Sequence, residues 1–181
     1  MAIPIARIKE KCCDKELSTF TVIDMDCLDN IGSTCDKVIE CKDRYYLVEE
    51  KSITLSFLDN CCKELELNLD DFKYIADNME YLKISEVIAH IQPMSIDTKR
   101  RVLSDSIVNM INSSAKKASN TTDILNKQFN NQMTANMPTF YLYCNSQTPI
   151  DLIIHRLLTF YKKTTFIECL KLKEKLSKEC I

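Results

Sequence analysis

The chain has 181 residues, of which 45% are hydrophobic and 28% charged, and its formal net charge is −2. This length fits one globular domain, or one domain with a sizeable insertion. The single glycine, Gly32, excludes phosphate-binding loops and dinucleotide-binding fingerprints, because both need several closely spaced glycines. All-β barrels with many tight turns are also disfavoured. We therefore expect a helix-rich chain without a global basic signature of nucleic-acid binding.

The N-terminus and the apolar runs predict a chain without a targeting or membrane-spanning segment. Met1 to Pro4 is followed at once by Arg7 and Lys9, which is not the pattern of a secretory signal. No apolar stretch approaches the roughly 18 residues that a spanning helix needs. We therefore expect a cytoplasmic protein with no membrane partner.

Ten cysteines are the other unusual feature of the composition. In a cytoplasmic chain they are expected to be thiols. The C-x(2–4)-C spacing of structural zinc sites does not occur, and the vicinal pairs at 12–13 and 61–62 suit one tetrahedral metal poorly. Most cysteines lie within apolar patterns, so we expect them to act as small buried hydrophobic side chains. Disulfides and a metal or cluster site are the less favoured alternatives.

The hydrophobic pattern predicts a helix, three strands, a helical block, one strand and two helices. Residues 112–136 are polar with few apolar anchors, which is typical of a loose helix or a mobile loop. The other predicted elements, in chain order, are a helix at 4–17, strands at 20–24, 37–41 and 45–50, helices at about 52–65, 72–82, 85–92 and 98–112, a strand at 139–144, and helices at about 148–161 and 166–178.

The residues that most specifically indicate chemistry lie on the predicted hairpin. Alternation along its second strand places Glu49 and Lys51 on one face and Glu50 on the other. Asp36 opens the first strand, so a bent hairpin would bring Asp36, Glu49 and Lys51 together at one edge. Two close carboxylates form a hard oxygen site for Mg²⁺. A nearby ammonium group can position water or stabilise charge on a scissile phosphate.

This segment resembles the active-site hairpin of the PD-(D/E)XK, or restriction-endonuclease-like, nuclease superfamily. The family pattern is an Asp followed by an apolar strand that ends in Glu-x-Lys, often with Ser after it, here Asp36, then Glu49 to Lys51, then Ser52. The resemblance implies that Asp36 and Glu49 bind Mg²⁺ or Mn²⁺ and that Lys51 orients the attacking water. It also implies hydrolysis of phosphodiester bonds in DNA, with RNA as the less favoured substrate.

Further residues are candidates for the same function. Some family members add a glutamate from the first helix; Glu10 and Glu16 both qualify, and nothing in the sequence chooses between them. Asp24 or Asp26 could add one more acidic group beside the site, with Asp26 as the candidate retained. A nearly neutral protein can still present a local basic groove, and phosphate contacts supply much of nucleic-acid affinity. The basic candidates are Lys99, Arg100, Arg101, Lys116 and Lys117, with Arg156, Lys162 and Lys163 further along the chain.

The resemblance also implies a fold. The family core is a helix, three strands, a helix and a fourth strand, usually with a further helix, and the predicted order matches it. We therefore expect an α/β (α+β) fold with a restriction-endonuclease-like core, in which helices flank a small central mixed sheet. The expected organisation is one domain, 1–181, with its core at 1–66 and 138–181 and a long helical insertion at about 67–137. The sequence leaves a homodimer open.

Two other functions remain open at the level of sequence. A non-catalytic interaction or nucleic-acid-binding module with a nuclease-like fold would use the helical block as its surface. The segment V-I-D-M-D-C-L-D is also similar to the first motif of haloacid-dehalogenase-type phosphatases. That similarity implies Asp24 as nucleophile and Asp26 as acid/base, with Mg²⁺. The Gly-Thr that usually follows the second Asp is Cys27-Leu28 here, so the match is partial.

Overall fold

In a computed structural model the chain is a mixed α/β protein, and its described strands form two sheets. The structure describes residues 2–5, 20–24, 33–41, 44–77, 79–128, 139–143, 149–159 and 166–180. The strands are β1 (Ala2–Pro4), β2 (Thr21–Asp24), β3 (Lys37–Cys41), β4 (Arg44–Glu50), β5 (Lys73–Ala76), β6 (Met79–Lys83), β7 (Thr139–Tyr143) and β8 (Phe166–Glu168). The α-helices are α1 (Ile53–Glu64), α2 (Ile84–Ile91), α3 (Ile96–Gln128), α4 (Pro149–Leu158) and α5 (Cys169–Cys180).

The chain divides into two compact units, and the boundary between them falls inside α3, after Asn109. The expected division into a core and a helical insertion stays a prediction. The first unit contains Met1–Glu10, Ser52–Asn109 and Cys144–Lys162, and the second contains Lys11–Lys51, Met110–Tyr143 and Lys163–Ile181.

The second unit is built on a five-stranded mixed sheet with the strand order β2-β3-β4-β7-β8. β2, β3 and β4 pair antiparallel, whereas β7 pairs parallel with β4 and β8 parallel with β7. In the registers, Val38 lies opposite Leu47 and Glu49 lies opposite Tyr141. The strands predicted at 20–24, on the hairpin and at 139–144 are thereby confirmed. Their β-branched and aromatic residues explain why they form, since such residues suit a pleated sheet.

Both faces of the β3–β4 hairpin are covered within the second unit. On one face, Leu125 of α3 packs with Cys35, Val38 and Leu47 in a buried apolar cluster. On the opposite face, α5 is joined to the hairpin by a disulfide between Cys180 and Cys41 and by a hydrogen bond that the Tyr46 hydroxyl donates to Glu179. The strands are therefore apolar on both faces, as expected for a covered sheet.

The first unit combines an antiparallel sheet of order β1-β6-β5 with α1, α2, α4 and the first part of α3. Ser52 caps α1, because its hydroxyl accepts a hydrogen bond from the Leu55 backbone N–H at 3.2 Å. The buried Thr54 hydroxyl donates to Asp151 Oδ1 of α4 at 2.5 Å. The helices predicted at about 52–65, 85–92 and 148–161 are thus present as α1, α2 and α4.

The helix predicted at 72–82 is wrong. The structure has a 3₁₀ helix at Leu69–Phe72 followed by the hairpin β5–β6. Tyr74 stacks on Tyr81 across this hairpin at 5.5 Å between ring centroids, and β1 adds a third strand. Ile75, which the helical pattern places inward, is 82% exposed. Pairing between strands therefore outweighs the local helical spacing of the apolar residues.

Helix α3 is longer than predicted. A helix was expected at 98–112, followed at 112–136 by a loose helix or a mobile loop; the helical alternative is present to Gln128, as a continuation of α3 from Ile96. Its inward positions beyond 112 are occupied by small polar residues before an apolar residue returns: Ser114, Thr121 and Leu125 are all fully buried. A face of small polar residues packs closely but shows no apolar periodicity. The hydrophobic pattern therefore indicated a regular helix only as far as residue 112. Residues 129–138 lie outside the described part of the chain.

One terminal helix prediction changes, and another lies mostly outside the described residues. β1 ends at Pro4, where a helix from 4 to 17 was expected to begin; Ile5 is helical, and residues 6–19 lie outside the described chain. The predicted helix at 166–178 is a short strand, β8, followed by α5. β8 exists because Phe166 pairs in register with Tyr141 of β7, a partner too far away in the sequence to be detected by local pattern.

The cysteines are partly as expected. Cys35, Cys61 and Cys62 are free and buried, which confirms their role as small core residues. Cys41 and Cys180 form a disulfide, with their Cα atoms 4.9 Å apart, so the expectation of thiols throughout is wrong. The packing of α5 on β3 is what brings this pair together. None of the described helices has the length and apolar composition needed to cross a membrane.

Candidate active site

The geometry of the β3–β4 hairpin brings three of the predicted site residues together. Lys37 lies opposite Val48 in the ladder, so Asp36 and Glu49 come just beyond that pair at the same end of the hairpin. The Glu50 backbone N–H donates a hydrogen bond to Asp36 Oδ2 at 2.6 Å. This bond fixes the orientation of the Asp36 carboxylate beside the second strand.

Glu49 lies at the centre of the cluster and is fully buried. Its Oε1 atom is 2.8 Å from the Lys51 Nζ atom and 2.8 Å from the Lys117 Nζ atom. The Lys117 Nζ atom is also 3.9 Å from Asp36 Oδ1. One ammonium group therefore lies within ion-pair distance of both carboxylates, and Asp36, Glu49, Lys51 and Lys117 form one cluster.

Lys117 was predicted only as a nucleic-acid contact, and its place beside Glu49 was missed. On α3 it belongs to the face formed by Ser114, Lys117, Thr121 and Leu125, which are spaced by three or four residues. The signal that could have found it is this spacing, continued past 112 through small residues. The sequence could not show that this face meets the hairpin.

A hydrogen-bond chain fixes α3 against the loop that leads into Asp36. Thr121 Oγ1 accepts from the Cys35 backbone N–H at 2.8 Å and donates to the Lys117 carbonyl, also at 2.8 Å. Thr121 is fully buried, and its bond from Cys35 is buried, whereas its bond to the Lys117 carbonyl is partly buried. The backbone beside Asp36 and the backbone of Lys117 are therefore held by the same side chain.

Glu50 and Lys37 form a separate ion pair on the other face of the hairpin. Their Nζ and Oε1 atoms are 3.1 Å apart, and each side chain is 9% exposed. Strand alternation predicts this separation, because Glu49 and Glu50 must point to opposite faces. Glu50 is thus excluded from the cluster even though its backbone supports Asp36.

The chemistry of the donor set fits a hard divalent cation. Glu49 Oε2 is buried, and among the described residues no group donates a hydrogen bond to it. A buried carboxylate oxygen without a donor is costly, and a cation would satisfy it. The described residues contain no group of three or more His, Cys, Asp or Glu side chains that could hold a metal. Asp36 and Glu49 would therefore be two protein ligands among waters or phosphate oxygens, as is common for Mg²⁺.

The charge state of the cluster follows from its contacts. Burial acts to lower the pKa of Lys117, but the hydrogen bond and charge of Glu49, with the charge of Asp36, outweigh it and raise that pKa above its usual value. Lys117 is therefore a cation at neutral pH. Burial raises the pKa of the neighbouring Cys35 thiol to about 11, although the hydrogen bond with Thr121 acts to lower it. Cys35 is therefore a neutral thiol at neutral pH.

The other acidic residues predicted for the site fall where the structure does not describe them. Asp24 is the last residue of β2, and its side chain is not described. The phosphatase alternative that depends on it stays a prediction. The acidic residues outside the described part of the chain are Glu10, Glu16 and Asp26.

The basic residues predicted for nucleic-acid contacts differ in what surrounds them. Lys116 is exposed on α3, and Arg156 is exposed on α4, whereas Lys162 and Lys163 lie outside the described chain. The run at 99–101, in the first unit, is engaged by nearby groups. Lys99 Nζ donates a hydrogen bond to the Gln92 carbonyl at 3.0 Å. Arg100 Nη1 lies 3.5 Å from Asp97 Oδ1, and Arg101 Nη2 lies 2.5 Å from Glu64 Oε1.

Comparison with models of known families, with curated proteins and with solved structures finds no match to this chain. The hairpin and the groups that surround it are therefore the features from which a function is inferred.

Proposed function

We propose that the chain is a metal-dependent nuclease of the PD-(D/E)XK type that hydrolyses phosphodiester bonds in DNA, with RNA less favoured. The observation that supports this most directly is the convergence of Asp36, Glu49 and Lys51, with Glu49 Oε2 buried and lacking a donor among the described residues. The topology of the five-stranded sheet in the second unit also supports the proposal. An antiparallel β2–β3–β4 meander is followed along the chain by a helix, and β7 pairs parallel with β4.

The chain's own residues would divide the work as follows. Asp36 and Glu49 would bind Mg²⁺ or Mn²⁺, which supplies a Lewis acid for the phosphate and a lowered pKa for bound water. Lys51 is anchored by Glu49 but 27% exposed, so its ammonium group can donate a hydrogen bond to the attacking water and orient it. The Glu50 N–H holds the Asp36 carboxylate in place. Preorganised groups of this kind need little rearrangement during reaction.

Cleavage of supercoiled plasmid DNA tests the proposal. We expect nicked or linear product with Mg²⁺ or Mn²⁺ and none with EDTA. Lys51→Ala, Asp36→Asn and Glu49→Gln should each lower the rate by about 100-fold or more, the usual cost of losing one such group. A parallel panel of linear duplex, single-stranded DNA and RNA identifies the preferred substrate.

Matched variants separate loss of chemistry from general effects. Lys116→Ala removes the same charge from an exposed position on α3, and Glu40→Gln removes a carboxylate from an exposed position on β3; both should retain most of the activity. Metal-dependent cleavage that survives Lys51→Ala would contradict the assignment. Hydrolysis of p-nitrophenyl phosphate that is lost in Asp24→Ala would instead favour the phosphatase.

Location and assembly stay predictions. A cytoplasmic location was expected from the sequence, but the Cys41–Cys180 disulfide argues against a reducing compartment, where such bonds are rare. A homodimer remains open, since no described feature requires a second copy of the chain.

A further inference from the structure

The proposed metal site already contains a cation that the chain supplies. Lys117 Nζ lies 2.8 Å from Glu49 Oε1 and 3.9 Å from Asp36 Oδ1. Together with Lys51, it brings the formal charge of the four-residue cluster to zero. A divalent metal bound by the same two carboxylates would have to share them with this ammonium group.

The contacts of Glu49 distinguish the two lysines. Lys51 follows Glu49 two residues later on the same face of the strand, and the nuclease proposal gives it the role of orienting water. Lys117 reaches the same oxygen from α3, 68 residues away in the chain. One ammonium group is enough to pair with Glu49, so Lys117 adds a second positive charge. This charge would repel a metal ion bound by the same carboxylates.

The side chain of Lys117 can leave the site without movement of its helix. The backbone of α3 is fixed by Thr121, which bonds both Cys35 and the Lys117 carbonyl, and by Leu125 in the apolar cluster. The Lys117 side chain is 25% exposed, and its four-carbon stem is flexible. The ammonium group can therefore exchange Glu49 for solvent while the helix stays packed.

We propose that Lys117 is the resident counter-ion of the Asp36 and Glu49 carboxylates, and that its ammonium group competes with a divalent metal for them, so that tight metal binding requires this group to move from Glu49 toward solvent. This inference rests on the proposed metal site and makes Lys117 a positioning residue that sets metal affinity. Removal of the Lys117 charge should strengthen metal binding, whereas a nearby lysine that does not contact the carboxylates should have no such effect.

Titration with Mn²⁺, followed by the electron paramagnetic resonance signal of the free ion, tests this without nucleic acid and without turnover. Lys117→Met keeps most of the length of the unbranched side chain and removes its charge. We expect its dissociation constant for Mn²⁺ to be at least about tenfold lower than that of the wild type, because a unit charge a few Å from a divalent ion changes affinity by this order or more. Lys117→Arg keeps the charge and should bind Mn²⁺ nearly as the wild type does.

The control is Lys116→Met, which removes the adjacent exposed charge and should change the dissociation constant by less than about twofold, as expected for a screened surface charge. Thermal denaturation by circular dichroism verifies that each variant is folded, and Lys117→Gln is a second uncharged variant if Lys117→Met is destabilised. Tighter binding in either uncharged variant, lost again on adding Glu49→Gln, supports the inference.

Two outcomes overturn it and are distinguishable. If the uncharged variants and the wild type bind Mn²⁺ equally, and Glu49→Gln abolishes binding in all of them, the counter-ion role is wrong while the proposed metal site stands. If no variant binds Mn²⁺ in a way that depends on Asp36 and Glu49, the proposed function fails together with the inference.

Discussion

Glu49 has no exposed surface, and its carboxylate is paired with the ammonium groups of Lys51 and Lys117. A buried carboxylate needs a paired cation, and loss of both ammonium partners would leave an uncompensated buried charge. Exposed pairs such as Lys63 and Asp59, whose side chains are 69% and 46% exposed, contribute little to stability. The burial of a charged side chain therefore determines how much its ion pairs contribute to stability.

Burial also determines how the free thiols react. It raises the pKa of Cys61 from the ordinary value of 9.0 to about 12, with the neighbouring Cys62 as a further cause. At pH 8 the thiolate of Cys61 should therefore be less populated than in an unfolded chain by a factor on the order of 10³. We expect iodoacetamide to modify Cys61 very slowly in the native protein and rapidly in urea, as measured by peptide mass spectrometry. Equal rates in both conditions would contradict this.

At the scale of elements, the scarcity of glycine has a consequence at the end of α1. Glu66 follows the helix with φ 57°, in the left-handed region that favours glycine. The backbone N–H of Leu67 bonds the Cys62 carbonyl at 2.7 Å, and that of Glu66 bonds the Lys63 carbonyl at 3.1 Å. These are the two bonds of a Schellman motif, formed here with a residue that has a Cβ atom.

Glu66→Gly should therefore stabilise the protein. Relief of the left-handed cost exceeds the added freedom of glycine in the unfolded chain, so we expect the free energy of unfolding to rise by about 0.5–1 kcal/mol. Urea denaturation measures the change. Glu66→Ala is the control, because alanine keeps the Cβ atom and should give no gain. A decrease in stability for Glu66→Gly would show that the Glu66 side chain contributes more than its backbone costs.

Secondary structure followed the sequence wherever the local pattern was sufficient. The β3–β4 hairpin and α1, with its Ser52 cap, lie within a residue or two of the predicted bounds. The hairpin β5–β6 was missed because its apolar residues also fit helical spacing, and a third strand, β1, decides between the two. For the second part of α3 the sequence could not choose between a helix and a loop, because the buried face there consists largely of small polar residues.

At the scale of the whole molecule, the net charge is −2, and several basic side chains are paired with acidic ones. Of the basic residues predicted to contact nucleic acid, Arg101 pairs with Glu64, and Lys117 pairs with Glu49. Lys116 remains exposed. If the chain is a nuclease, we therefore expect these residues to make few contacts with phosphate groups. The affinity for nucleic acid should then depend only weakly on salt concentration.

The Cys41–Cys180 disulfide links residues 139 positions apart in the chain. Such a cross-link restricts the unfolded state, and the chain-entropy model gives about 4–5 kcal/mol for a loop of this length. We expect Cys41→Ser with Cys180→Ser, or dithiothreitol added to the wild type, to lower the free energy of unfolding by a similar amount in urea titrations. When both proteins are reduced with dithiothreitol, the double variant and the wild type should have nearly the same free energy of unfolding. A wild type that keeps its full stability when reduced would contradict this.

The sequence by itself determined the local features of this protein: the hairpin, the alternation that separates Glu49 from Glu50, and the placement of Asp36 and Lys51 beside Glu49. These depend on residues close together in the chain and on the period of a strand. Only the tertiary structure decided that Lys117 joins the carboxylates and that Cys41 meets Cys180. Those contacts link distant segments, and they form because separate elements bury surface against the same sheet, which no local pattern records.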